Sequence, residues 1–268
     1  MNRQSTPPGR VDYGIDGPVA AQGVVIASVI SLALGGAVYG KRRPLRPVLA
    51  GMVLKLGVCS FVAGLSLVGG MVWSSKVGKL RARDHLIESL SLRGDESVLD
   101  VGCGRGLLLI AAAKRLTTGK AVGVDIWSAK DQSDNRPEAT WANARAEGVA
   151  DRVEVKDGDA RWLPFSDSTF EMVVSSLVVH NIHGSSGRKK AIREMVRVLK
   201  EDGRLAILDV LHTSKYASVL RESGMSEVER TKPYFLFFLP ARVVSARKPR
   251  NAPRLQSSRP SHIATTNL

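Results

Sequence analysis

Two patterning regimes divide the chain. From Val19 to Tyr39 no residue is charged, and Val, Ile, Ala and Gly dominate. A helix of about 21 residues crosses roughly 30 Å of hydrocarbon. A second apolar run extends from Val48 to Trp73, interrupted only by Lys55 near its start, where the ammonium can reach back to an interface. Neither run carries the polar stripe of a soluble helical hairpin. A cleaved leader would have a shorter apolar stretch followed by a small-residue cleavage site. The pattern therefore predicts an N-terminal tail over 1–17 and two transmembrane helices over 18–75. Gly51, Gly57, Ala63, Gly64 and the pair Gly69-Gly70 would let the helices approach, and Trp73 falls at an interface position.

After Lys76 short apolar runs alternate with helical spacings. Leu80, Leu86, Ile87 and Leu90 space a helix over 77–92. Strands are predicted at "SVLDV" (97–101), "KAVGVD" (120–125), "RVEVK" (152–156), "FEMVVSS" (170–176) and "GRLAILDV" (203–210). Helices are predicted over 107–116, 137–147, 188–200 and 215–223. "SEVERT" and "ARVVSARK" supply two closing strands. The fold class that follows is α/β: a doubly wound, mostly parallel seven-stranded sheet over 76–248. Ligands on such sheets bind outside the carboxyl ends of the strands, at the switch point. Residues 249–268, rich in Pro, Ser and Arg, read as a disordered basic tail.

Charge adds a partner. The net charge is +14, and no acidic residue follows Glu229. Basic runs flank the apolar segments ("KRRPLR" at 41–46, "KVGKLRAR" at 76–83) without interleaved aromatics, which favours an anionic membrane surface over nucleic acid. Both the inter-helix linker and the segment after Trp73 are basic, so the positive-inside rule cannot satisfy both sides of a simple hairpin. With only Cys59 and Cys103, neither a disulfide framework nor a metal site is expected.

Candidate chemistry gathers at "DVGCGRG". Gly102, Gly104 and Gly106 follow the first strand, where glycine permits positive φ and lets a ligand lie against bare backbone. The spacing is Gly-x-Gly-x-Gly, whereas the dinucleotide fingerprint is Gly-x-Gly-x-x-Gly. Asp100 stands two residues before the first glycine, where a carboxylate repels a pyrophosphate and welcomes a cation. Asp125 ends the second strand, placed to accept from two ribose hydroxyls. Asp159, in "DGDARWLPF", is placed to accept from an exocyclic amine. Three carboxylates, three glycines and no phosphate-binding lysine describe a cationic nucleoside, S-adenosylmethionine. Each aspartate also has a plain structural reading, as the cap of a turn or a helix start.

On "VLDVGCGRG", "GVDIW", "GDARWLPF", "FEMVVSSLVVHNI" and "AIREMVRVLKEDGRLAILD", residues 76–248 resemble the class I S-adenosylmethionine-dependent methyltransferases, most closely the small-molecule group that includes the ubiquinone/menaquinone C-methyltransferases. The family usually has "LKPGG" where this chain has "LKEDG", a change in a surface turn. The resemblance implies a Rossmann-like methyltransferase fold. It implies Asp100 and the glycines around the methionine part of the cofactor, Asp125 on the ribose and Ile126 on the adenine. It places Asp159 and Ala160 at the amine edge, and Ser175 or Ser176 at the substrate entrance.

Methyl transfer from a sulfonium needs positioning above all, and a base only where the acceptor must lose a proton. "VVHNIHG" offers His180, Asn181 and His183 just past the fourth strand; His180 is the candidate base or acceptor contact. Arsenite methylation requires several thiols, and only Cys103 lies in this domain. No Asn/Asp-Pro-Pro-Tyr motif follows the fourth strand, which weighs against amino-methylation of adenine or glutamine. The expectation is a small or lipid-like acceptor met at the membrane, with the catalytic domain on the cytoplasmic side where the cofactor is. A membrane-attached cofactor-binding module without methyl transfer is the alternative; a nicotinamide enzyme is disfavoured by the glycine spacing.

Overall fold

The computed structural model describes residues 11–40, 47–233 and 240–250; the 41–46 linker and the tail from 251 onward lie outside the described residues. Helices α1 (Pro18–Tyr39) and α2 (Pro47–Trp73) form the apolar hairpin. Both begin at proline, whose missing N–H costs nothing in a first turn. Their axes are close: a Cβ on Gly57 would stand 2.7 Å from the Ser31 carbonyl oxygen, and one on Gly64 would overlap the Ser28 hydroxyl. Gly51 and Gly69 face open space and contribute nothing to the crossing. By length and composition both helices can cross a membrane, and Ile26, Ile30, Leu34, Leu56, Val62 and Leu65 point outward from them.

The helix does not break where the sequence pattern changes. A π-helical turn, Ser74–Gly78, joins α2 directly to α3 (Lys79–Ser89). Such turns arise where the regular ladder takes in one extra residue. Here Ser74, Ser75, Gly78 and Lys79 are all buried, Ser75 and Lys79 against residues 13–16 of the N-terminal segment.

That domain is a seven-stranded sheet: β1 (Ser97–Val101), β2 (Lys120–Asp125), β3 (Val153–Asp157), β4 (Phe170–Ser176), β5 (Leu199–Asp209), β6 (Ser226–Arg230) and β7 (Arg242–Arg247), in the order β3-β2-β1-β4-β5-β7-β6. β7 runs antiparallel to both its neighbours, and the other pairings are parallel. The chain runs outward from β1 through β2 to β3, then returns to β4 on the other side of β1, so the switch point lies between β1 and β4. Successive residues of β1 serve opposite faces. Val98 packs with Leu86 and with Leu109 of α4 (Leu107–Ala113), whereas Leu99 packs with Ile192 and Met195 of α6 (Gly184–Val198). α5 (Pro137–Ala146) precedes β3, and α7 (Thr213–Glu222) follows β5.

Two boundaries differ from the periodicity. α6 begins at Gly184 instead of Arg188, and Leu199 and Lys200 belong to β5. "LKEDG" therefore lies within that strand as an irregularity, with Asp202 at φ 61° and its N–H donated to the Lys248 carbonyl. Arg250, assigned above to a disordered tail, pairs with Asp202.

The expectation of a tail over 1–17 is overturned for residues 11–17. Asp12 to Gly17 lie on the α/β domain as a strap. Asp12 N–H donates to Asn143 Oδ1, Ile15 N–H to Ser133 Oγ, and Gly17 N–H to the Asp131 carbonyl. The physical reason is the buried Lys79 ammonium, which must find acceptors. It takes the carbonyls of Tyr13 and Gly14 at 2.8 and 3.0 Å and the Asp16 carboxylate at 3.1 Å.

Candidate functional site

Gly102, Gly104 and Gly106 all adopt positive φ (74°, 50° and 86°), which is why the corner is glycine. The corner leaves β1, passes under Val178, and enters α4. A Cβ at Gly102 would collide with the Val178 side chain, and one at Gly104 would stand 2.5 Å from Gln132 Oε1.

Three aspartates fall near this corner, in three different states. Asp100 is 2% exposed and accepts the Leu109 N–H at 2.9 Å, tying the first turn of α4 back to β1. Burial pushes its carboxyl up to about 7, and the charge of Asp125 adds to the push. Asp125 accepts Gly104 N–H (2.8 Å), Trp127 N–H (2.7 Å) and Asn135 Nδ2 (3.3 Å). Its carboxyl is raised by burial, against which those hydrogen bonds pull. Asp159 is more open; the Arg161 guanidinium grips it through Nε and Nη2 and holds its carboxyl below the usual range. The predicted free acceptor at Asp159 is thus engaged within its own turn.

One cavity of about 540 Å³ joins these residues. Asp100, Gly102, Gly104, Asp125, Ile126, Asp159, Ala160 and Ser176 all line it, and so does His180. Gly106 does not; it turns the chain into α4 instead. The serines separate. Ser175 donates to the Val101 carbonyl at 2.8 Å, closing the switch point, whereas Ser176 Oγ lines the cavity without a partner. Cys103 is buried, and burial with two neighbouring carboxylates pushes its thiol well up, so it is packing and not a nucleophile. Among the described residues no cluster suits a metal ion.

Also on the cavity wall, His180 Nδ1 lies 2.6 Å from Asp209 Oδ1 without forming a hydrogen bond to it. Asp209 is fully buried at the end of β5, where its Oδ2 also accepts the His180 N–H and the Tyr216 hydroxyl, both at 3.1 Å. Sequence reasoning missed Asp209, although a signal was available: an acid at the carboxyl end of an apolar strand in "AILD", much as Asp100 lies one residue from the end of "SVLDV". It also missed the opposite wall, made of Asp16, Gly17, Met71, Ser74, Ser75, Lys79 and Gln132.

Residues 99–207 match the family described as a methyltransferase domain. Among curated relatives, the chain is 34% identical to the methyltransferase GfsG of Streptomyces halstedii over 49% of this chain and 44% of that protein. It is 28% identical to the demethylmenaquinone methyltransferase of Lactobacillus johnsonii over 60% of this chain and 62% of that one. The chain spans about half the length of the curated relatives it matches. Among solved structures, YcgJ of Bacillus subtilis shares the fold at a TM-score of 0.50 and 17% identity, over 63% of this chain and 98% of that one. The α/β region carries this methyltransferase-domain match and shares its fold with an S-adenosylmethionine-dependent methyltransferase of Aquifex aeolicus, at a TM-score of 0.50 and 20% identity over 63% of this chain and 90% of that one.

The residues present fit that cofactor on their own chemistry. Two buried carboxylates suit a cationic nucleoside better than a phosphorylated one. Ser176 Oγ is a polar atom buried in the cavity with no protein partner, and positive-φ glycines bring bare backbone to the cavity wall.

Proposed function

We propose that the chain transfers the methyl group of S-adenosylmethionine to a small or lipid-like acceptor at a membrane surface. One observation carries the reading: the same cavity is lined by Asp100, Asp125 and Asp159 at or just past the strand ends and by His180. Bound there, S-adenosylmethionine would supply a methyl group on a sulfonium whose departure leaves a neutral thioether. Asp125 would take the ribose hydroxyls, Ile126 would pack on the adenine, and Asp159 with Ala160 would meet the amine edge once Arg161 shares its carboxylate. Asp100, with Gly102, Gly104 and Gly106 shaping the corner, would attend the methionine part, and Ser176 would border the acceptor. Asp209 holds His180 by accepting its backbone N–H and lies against the Nδ1 side of the ring, which leaves Nε2 to take a proton from the acceptor.

The hairpin over 18–75 serves as the membrane anchor, and 76–248 with the strap as the catalytic domain on the cytoplasmic side. The likeness to a demethylmenaquinone methyltransferase supports a quinone-like acceptor, and the apolar outward surfaces of α1 and α2 support a membrane-resident one.

The test uses the full chain in lipid nanodiscs, because truncating residues 1–75 would also remove Asp16, Met71, Ser74 and Ser75 from the cavity wall. Adenosylhomocysteine should accumulate when cofactor is added with a long-chain demethylated quinone in the bilayer, and more slowly with a water-soluble short-chain analogue. Cofactor uptake without any product over a lipid extract would instead identify a binding module. Absence of uptake would overturn the reading outright.

A further inference from the structure

The residues holding the strap are not neutral packing. Gln132 is held from both sides: its Oε1 accepts the Arg105 N–H at 2.9 Å, and its Nε2 donates to the Tyr13 carbonyl at 3.1 Å. Arg105, between Gly104 and Gly106, sends its guanidinium to the Asp12 carbonyl, the Asp12 carboxylate and Asp134. Asn143 of α5 donates to both the Asp12 and Arg105 carbonyls at 2.9 Å. The strap also forms an isolated bridge, Asp16 to Gln132, with the loop after β2. Its other end is fixed from the hairpin foot by Lys79 and by Ser75, whose Oγ accepts the Asp16 N–H at 3.1 Å.

Resting on the reading above, we infer that Lys79 is a positioning residue for the cofactor: by clamping residues 13–16 it holds Gln132 and Arg105, and so the glycine corner, in the shape the cofactor meets. The hairpin is then part of the binding site as well as an anchor. A segment before the first apolar helix and a lysine after the second converge on one corner, and only their joint closure completes the wall of the cavity. Lys79 acts through the strap's two carbonyls and one carboxylate. An apolar side chain of similar length fills the space but strips the Gly14 carbonyl of its donor and leaves the Tyr13 carbonyl and the Asp16 carboxylate only their longer bonds from Gln132 and Ser75, whereas arginine can still donate to several of them.

The experiment measures adenosylhomocysteine affinity by calorimetry on the full chain in nanodiscs, for wild type, Lys79→Met and Lys79→Arg, with the melting temperature of each. The expected result is a loss of about tenfold or more for Lys79→Met, with substantial recovery in Lys79→Arg. Wild-type affinity in Lys79→Met overturns the inference, as does a Lys79→Arg chain that is no better than Lys79→Met. Wild type that takes up no cofactor overturns the functional reading itself, a separate failure. Should Lys79→Met not fold, hydrogen exchange on wild type decides. The amides of Ile15, Asp16 and Gly17, which donate to Ser133, Ser75 and Asp131, should exchange more slowly with adenosylhomocysteine present, and unchanged exchange sinks the idea.

Discussion

The two walls of the cavity are built in opposite ways. On the β1–β2 side the decisive contacts are short in sequence: Asp100 reaches Leu109, 9 residues on, and Asp125 reaches Gly104 across 21 residues. On the hairpin side Lys79 reaches Tyr13 across 66 residues, and Asp12 meets Asn143 across 131. The near wall follows from strand ends and a glycine corner, which any parallel sheet of this kind provides. The far wall exists only because a buried ammonium and a buried guanidinium gather carbonyls from a distant segment. The acidic corner and the foot of the apolar hairpin are one construction, joined at Gln132 and Arg105.

The largest effect is expected at Asp125. Asp125→Ala should weaken adenosylhomocysteine binding by roughly 100-fold or more, since each hydrogen bond to a charged group contributes about 1.5–3 kcal/mol. Calorimetry on the full chain checks this, and near-wild-type affinity would mean the near wall is only structural. Next comes the acceptor end. Asp209→Asn should lower kcat by about 100-fold, the scale of acid–base assistance, while cofactor affinity stays within a factor of about two. A matched fall in affinity would assign Asp209 to the fold and not to His180.

Acidity sharpens the contrast further. Asp100, raised to about 7 by burial, is ionised above that pH and neutral below it. An ionised carboxylate favours a cation, so affinity for the sulfonium cofactor should rise with pH through 7. Between pH 6 and 8 the ratio of S-adenosylmethionine to adenosylhomocysteine affinity should increase by up to roughly tenfold, because the thioether carries no charge for Asp100 to attract. The groups facing Asp100 are Asp125, whose charge adds to the raise, and Cys103, a neutral thiol. A ratio independent of pH would remove Asp100 from the sulfonium's surroundings. The smallest effect belongs to Cys103→Ala, which should change turnover by less than about twofold while costing some stability through the cavity it leaves.

Much of the near wall was legible because strand ends and turns are local. "DVGCGRG" announces a sharp backbone corner, and an acid closing an apolar strand announces a group at the ligand-binding edge. Asp209 was legible in principle by the same rule. Its pairing with His180 was not, since the distance between the ends of β4 and β5 is a property of the sheet. Asp159 was legible as an acid just past a strand, but its engagement by Arg161 depends on how one turn closes. The continuity of α2 into α3 was hidden by the change from apolar to basic residues, because helical hydrogen bonds do not depend on that change.

The sequence by itself determined the two apolar helices, the strand and helix succession of the α/β domain, and the positions of the glycines and acids along it. Each of these rests on periodicity or on backbone freedom, properties of a few neighbouring residues. Only the tertiary structure decided that residues 11–17 close over the cavity and that Lys79 and Arg105 fasten them. It alone also set His180 against Asp209. A buried charge must be answered, and which of many available carbonyls and carboxylates answers it is settled when the sheet and the helices are packed together.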